Sequence, residues 1–124
     1  MWQRNLVESR SEQKVGDDLS EIGDITADGI TDFAAIATHL DAEGGNVGAV
    51  AFVSGRDGEL IRTCPYPYPQ WRAEFGTAPV SVGDLDGDGF PEVAASAPWH
   101  DLPGLLADAG VVHVISTANC RTKW

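Results

Sequence analysis

Short apolar stretches punctuated by Gly, Asp and Pro run along this chain, and few carry helical periodicity. Leu19–Ile22, Phe33–Ala37, Gly48–Ser54 and Glu59–Thr63 are rich in small or β-branched residues and bounded by turn formers, which is a strand pattern. Val80–Val82, Val93–Ala97 and Gly110–Ser116 repeat the first three of them. Arg56-Asp57-Gly58 separates the third and fourth stretches, and Asp-Gly is a strong hairpin signal. Only Asp101–Ala109 has some helical colour, and its Pro103 and Gly104 argue against a helix. The pattern predicts an all-β chain of consecutive antiparallel strands.

The strands recur as a unit. Aligning Asp24 with Asp84 (84 − 24 = 60) brings Val15-Gly16 onto Phe75-Gly76, Ile22-Gly23 onto Val82-Gly83 and Phe33–Ala37 onto Val93–Ala97. Gly48–Ser54 then falls on Gly110–Ser116 (110 − 48 = 62), so the second copy has gained two residues in the loop before its third strand. Four antiparallel strands in a period of about 60 residues suggest one β-propeller blade per repeat. The expected division is an N-terminal segment 1–14, a first blade 15–64, a connector 65–74 and a second blade 75–124 without its fourth strand. Trp2–Val7 precedes Val15-Gly16 at roughly the distance by which Leu60–Cys64 precedes Phe75-Gly76, and so reads as the outer strand of a neighbouring blade. Two blades cannot close a ring. The expectation is a partial propeller: either part of a larger one, or one of several chains sharing a ring as a homo-oligomer. The connector, with Pro65, Pro67 and Pro69 between aromatics, reads as a stiff inter-blade crossover whose aromatics cover the core.

Between the first and second strands of each unit lies an acidic loop. Asp84, Asp86, Asp88 and Glu92 occupy near-alternating positions, with Gly87 and Gly89 allowing the backbone to wrap. Carboxylates this close disfavour one another's ionised form unless a cation joins them. Ca²⁺, which takes 6–8 oxygens in flexible geometry, is the natural one. The ligands in this reading are the side chains of Asp84, Asp86, Asp88 and Glu92 with the backbone carbonyl of Phe90. The upstream copy offers Asp24, Thr26, Asp28, the carbonyl of Ile30, and Asp32, giving two Ca²⁺ in all. An EF-hand is excluded. Its loop needs an acid at position twelve, where Ala95 stands, and flanking helices, where Val80–Val82 and Val93–Ala95 read as strands.

Phe75-Gly76, the loop Asp84–Glu92 and the following Ala97-Pro98 together resemble an FG-GAP repeat, the blade unit of the β-propeller in integrin α subunits and many bacterial extracellular proteins. The resemblance extends over about Val15–Ser116. It implies a Ca²⁺ in the loop between the first two strands of each blade, and an extracellular or cell-surface setting. The chain departs from the pattern at several positions. Glu92 stands where the family usually has Asp, Thr26 replaces an acidic or amide ligand, Val15 replaces Phe, and His39 lies where the Ala-Pro end is lost.

Charge narrows the partners. The formal net charge is −11, from 19 acidic and 8 basic residues, which argues against nucleic acid or an anionic membrane surface. Seven of the acids lie in the two loops, and two bound Ca²⁺ would bring −11 to −7 (−11 + 4), so much of the acidity belongs to the loops. Cys64 and Cys120 leave one bridge or two thiols open. The sequence holds no apolar run of transmembrane length and no signal-peptide pattern at Met1–Arg10. No nucleophile stands beside a base, and His39, His100 and His113 are scattered. The reading is therefore not an enzyme but a calcium-binding structural and adhesive propeller module with a protein or glycan partner. Two alternatives remain: a carbohydrate-binding propeller using Trp71, Trp99 and Tyr68, with His100 as a further loop contact, or an accessory domain of a larger extracellular enzyme.

Overall fold

A computed structural model describes residues 16–37, 47–68, 70–104 and 107–124. The readings at Trp2–Val7, Val15 and His39 lie outside the described residues. Seven strands form two sheets: β1 (Leu19–Gly23), β2 (Asp32–Ile36), β3 (Ala49–Val53) and β4 (Leu60–Pro65) in one, β5 (Thr77–Gly83), β6 (Glu92–Ala97) and β7 (Val111–Ser116) in the other. Each sheet is a simple antiparallel meander in chain order. This is the architecture of two propeller blades side by side, and they do not close a ring.

The two copies fold alike down to their irregularities. β1 slips register between Glu21 and Gly23, and β5 slips between Ser81 and Gly83, in both cases just before the acidic loop. β5 starts three residues earlier than the apolar pattern predicts. Ala78 has φ of 49° and the register breaks again between Thr77 and Val80, so alternation is legible only from Val80 onward. Among the described residues Asp101–Ala109 contains turns and no helix. Its Asp101 carboxylate accepts the Asp108 N–H at 2.7 Å, and Asp108 has φ of 52°, a loop-closing geometry that a helix does not offer.

The core lies between the sheets. Ile22, Ala34, Val50 and Phe52 of the first sheet meet Val93, Ala95, Ala97 and Ile115 of the second, with Tyr66, Ala73 and Phe75 of the connector region filling the seam. Each strand, five to seven residues long, carries few large side chains, so neither sheet buries enough apolar surface alone and the pair folds around one cluster. β3 is buried along its whole length, which explains its unbroken apolar run. On the second sheet Val80 and Val112 stand exposed on the face turned away from the first.

Two devices fasten the seam. Phe75 is fully buried and forms a parallel bridge to Gly48. The backbones approach so closely that a Cβ on Gly48 would lie 2.2 Å from the Phe75 carbonyl oxygen, and one on Gly76 would lie 2.4 Å from that of Ala49. Gly76 also holds φ of 104°, so both space and conformation demand glycine. The second device is a disulfide between Cys64 in β4 and Cys120 after β7. It settles the open question about the two cysteines, and the Arg62 guanidinium donates to the Ala118 carbonyl beside it.

The tail continues the second sheet. Val114 N–H donates to the Trp124 carbonyl at 2.8 Å, Lys123 N–H donates to the Val114 carbonyl at 2.7 Å, and Ile115 bridges Thr122 antiparallel. The tail thus lies along the free edge of β7, the place that β4 takes beside β3.

Candidate metal centre

Both acidic loops are built by their first aspartate. Asp84 Oδ1 accepts the N–H groups of Gly87 (2.7 Å) and Asp88 (3.2 Å), and its Oδ2 accepts that of Gly89 (2.9 Å). In the upstream loop Asp24 accepts Asp28 N–H at 3.1 Å and Gly29 N–H at 2.7 Å. The Gly29 N–H, foremost among these bonds, holds the Asp24 carboxyl below the usual carboxylate range. Next, Asp88 accepts Phe90 N–H and Asp28 accepts Ile30 N–H, each at 2.9 Å. The rings and alkyl chains of Phe90 and Ile30 face solvent at the loop tips. Local side-chain-to-backbone bonds of this kind replace strand pairing with a wrapped turn.

The last acid anchors each loop from the strand that follows. Glu92 opens β6 and its Oε2 accepts Leu85 N–H at 2.7 Å; Asp32 opens β2 and its Oδ2 accepts Ile25 N–H at 2.8 Å and Thr26 N–H at 3.1 Å. Both side chains are fully buried. Here the copies part. The second oxygen of Asp32 accepts Gly55 N–H at 3.0 Å. The corresponding residue in the second copy is Thr117, whose N–H and hydroxyl both turn to the Pro91 carbonyl. Glu92 Oε1 is left buried without a hydrogen-bond partner.

The loops also differ in how they gather charge. One carboxylate oxygen from each of Asp84, Asp86 and Asp88 lies within 4.8 Å of the others. Among the described residues this is the one such acidic group, and Asp24, Asp28 and Asp32 do not form another. Thr26 instead donates its hydroxyl to Asp24 at 3.3 Å. Three converging carboxylates and a buried carboxylate oxygen lacking a donor are what a hard divalent cation requires, because an ionised oxygen held from water costs free energy until a positive charge or donor meets it. The residues of the second loop therefore fit Ca²⁺, and those of the first fit it less well.

One cation already reaches the cluster. The Lys123 ammonium contacts Asp86 Oδ2 and holds the Asp86 carboxyl below the usual range, while Asp86 holds the ammonium above its own. The sequence reading did not include Lys123, because nothing in the spacing shows that the tail folds back along β7. Among the described residues the first loop has a more remote counterpart, Arg56 at 4.0 Å from Asp28.

His100 and His113 gather at the Tyr66 hydroxyl. His100 Nδ1 is 2.8 Å and His113 Nε2 is 3.4 Å from the Tyr66 hydroxyl, and Tyr66 stacks on Phe75 with centroids 4.7 Å apart. Burial pushes the Tyr66 phenol up to about 12, and burial followed by the neighbouring His100 holds the His113 imidazole below its ordinary value. Tyr68 stacks on His113 with centroids 5.3 Å apart. These rings pack the seam beneath the connector.

The FG-GAP repeat family matches residues 75–115, which span Phe75-Gly76, the second acidic loop and most of β7. No curated protein matches the chain.

Proposed function

From the match of residues 75–115 to the FG-GAP repeat family, which indicates a β-propeller-like module of the integrin type, we propose that this chain is a calcium-binding structural and adhesive module that presents a propeller surface to another macromolecule. The observation that carries the calcium reading is the convergence of Asp84, Asp86 and Asp88; Glu92, outside that group of three, adds from the same loop a fully buried carboxylate with one unpartnered oxygen. Asp84, Asp86, Asp88 and Glu92 hold the ion with the Phe90 carbonyl. Asp24, Asp28 and Asp32, with Thr26 and the Ile30 carbonyl, make a second, weaker site.

The role of the ion is mechanical. FG-GAP repeats are typically structural or binding modules rather than catalytic ones. A neutralised loop pins the start of β6 to the end of β5, and β6 lies centrally in its sheet. Binding to the folded loop adds stability by mass action. The Cys64–Cys120 bridge supports an oxidising, extracellular setting. Among the described residues no helix is long and apolar enough to cross a membrane.

Thermal unfolding in EDTA and in excess Ca²⁺ tests this reading. The melting temperature is expected to fall on chelation and recover when Ca²⁺, but not K⁺, is restored. A melting curve indifferent to chelation would remove the structural ion from the account.

A further inference from the structure

The end of the second sheet opposite the acidic loop carries a separate cavity. Trp71 and Arg72 of the connector and Trp99, Asp101 and Asp108 of the β6–β7 loop line about 300 Å³. That is the small end of the range for ligand pockets, about 300–1,000 Å³. Trp71 is 69% and Trp99 50% exposed, so both indoles are open to a ligand.

The cavity is pre-organised. Trp99 Nε1 donates to Glu74 at 3.2 Å, which fixes the indole plane. Gln70 clamps Asp101 through both its N–H and its carbonyl, tying the connector to the β6–β7 loop. Arg72, Glu74 and Asp108 all hold positive φ, at 62°, 52° and 52°. Non-glycine residues in that region cost about 1–3 kcal/mol each and concentrate at binding sites.

The charge pattern selects the ligand. Asp101 and Asp108 repel an anion. The Arg72 guanidinium sits 5.3 Å from the centre of the Trp71 ring, so that indole already carries a cation and Trp99 is the open platform. An apolar ring face beside carboxylates and a guanidinium matches a molecule that offers one apolar face and several hydroxyls. We propose that this cavity binds a neutral pyranose saccharide, with Trp99 as the stacking platform and Asp108 and Arg72 as hydroxyl partners. Tyr68, the third aromatic that the sequence suggests for sugar binding, is committed instead to His113. The inference uses no residue of the metal centre, so the two stand or fall separately.

The test is tryptophan-fluorescence titration of the whole chain in saturating Ca²⁺ with cellotetraose, chitotriose, mannotriose and lactose, alongside an array of neutral and sialylated glycans. At least one neutral glycan is expected to bind saturably. Trp99→Ala and Asp108→Asn should each weaken that glycan about tenfold or more, a loss usual for truncating a central contact. Trp71→Ala, at the most exposed position, guards against misfolding of the Trp99 variant, and unchanged melting certifies each protein. No saturable neutral glycan, binding confined to sialylated glycans, preferential response to tetramethylammonium, or glycan binding untouched by all three variants would each overturn the proposal.

Discussion

Glu92→Gln separates a cation ligand from a carboxylate that merely packs. The native side chain is fully buried, one oxygen accepts Leu85 N–H, and the other has no partner. The amide keeps the shape, and its carbonyl can keep the bond to Leu85. Without Ca²⁺ the substitution removes a buried charge, and an unsatisfied buried polar group costs about 1–3 kcal/mol. In EDTA the variant should therefore melt no lower than the native chain. With free Ca²⁺ at about 100 times Kd, the native chain gains about 2.7 kcal/mol. An unfolding entropy of about 2.1 cal/mol/K per residue gives, over 124 residues, about 0.26 kcal/mol/K. The native melting temperature should then rise by about 10 °C, and that of Glu92→Gln by much less. Calorimetric melting of both proteins, each with EDTA and with Ca²⁺, reads the four values. An equal loss in both conditions would refute the reasoning, since it would make Glu92 a packing residue whose charge answers to no ion.

Reduction of Cys64–Cys120, or Cys64→Ala with Cys120→Ala, opens a link across a separation of 56 residues. Chain entropy puts that at about 4 kcal/mol, or a fall of about 15 °C in melting temperature; an unmoved curve would show that the bridge does not bind the sheets together. Gly76→Ala places a Cβ 2.4 Å from the Ala49 carbonyl at φ of 104°. Urea unfolding should show a loss of about 2 kcal/mol or more, whereas near-native stability would mean that the seam gives way easily. Lys123→Gln removes the ammonium from Asp86 and should raise Ca²⁺ affinity in calorimetric titration, while an unchanged affinity would reduce Lys123 to a tail anchor.

The strands were legible because each is a short apolar run between turn formers, and the 60-residue repeat set their order. β5 runs longer than its apolar pattern because Ala78 and the register break interrupt the alternation ahead of Val80. The loop ligands were legible as types and spacings. Their inequality was legible in part, since Thr26 stands where the second loop has Asp86; the rest depends on whether Gly55 or Thr117 offers its N–H to the last acid, a contact made across the β2–β3 or β6–β7 pair. Trp71 and Trp99 were legible as candidate contacts but not their meeting in one cavity, and Lys123 was hidden because the tail's course along β7 is not written in local sequence. The helical colour of Asp101–Ala109 misled because Asp101 bonds backbone within its own loop, as short polar side chains do.

The central claim is that the loop Asp84–Glu92 is a Ca²⁺ site that rigidifies the second blade. Isothermal titration of the calcium-stripped chain, native and with Asp84→Asn plus Asp88→Asn, tests it most directly. The account predicts saturable Ca²⁺ binding in the native chain, loss of the tighter phase in the double variant, and retention of that phase in Asp24→Asn. Absence of saturable binding, or a tight phase that survives the loss of Asp84 and Asp88, would contradict it.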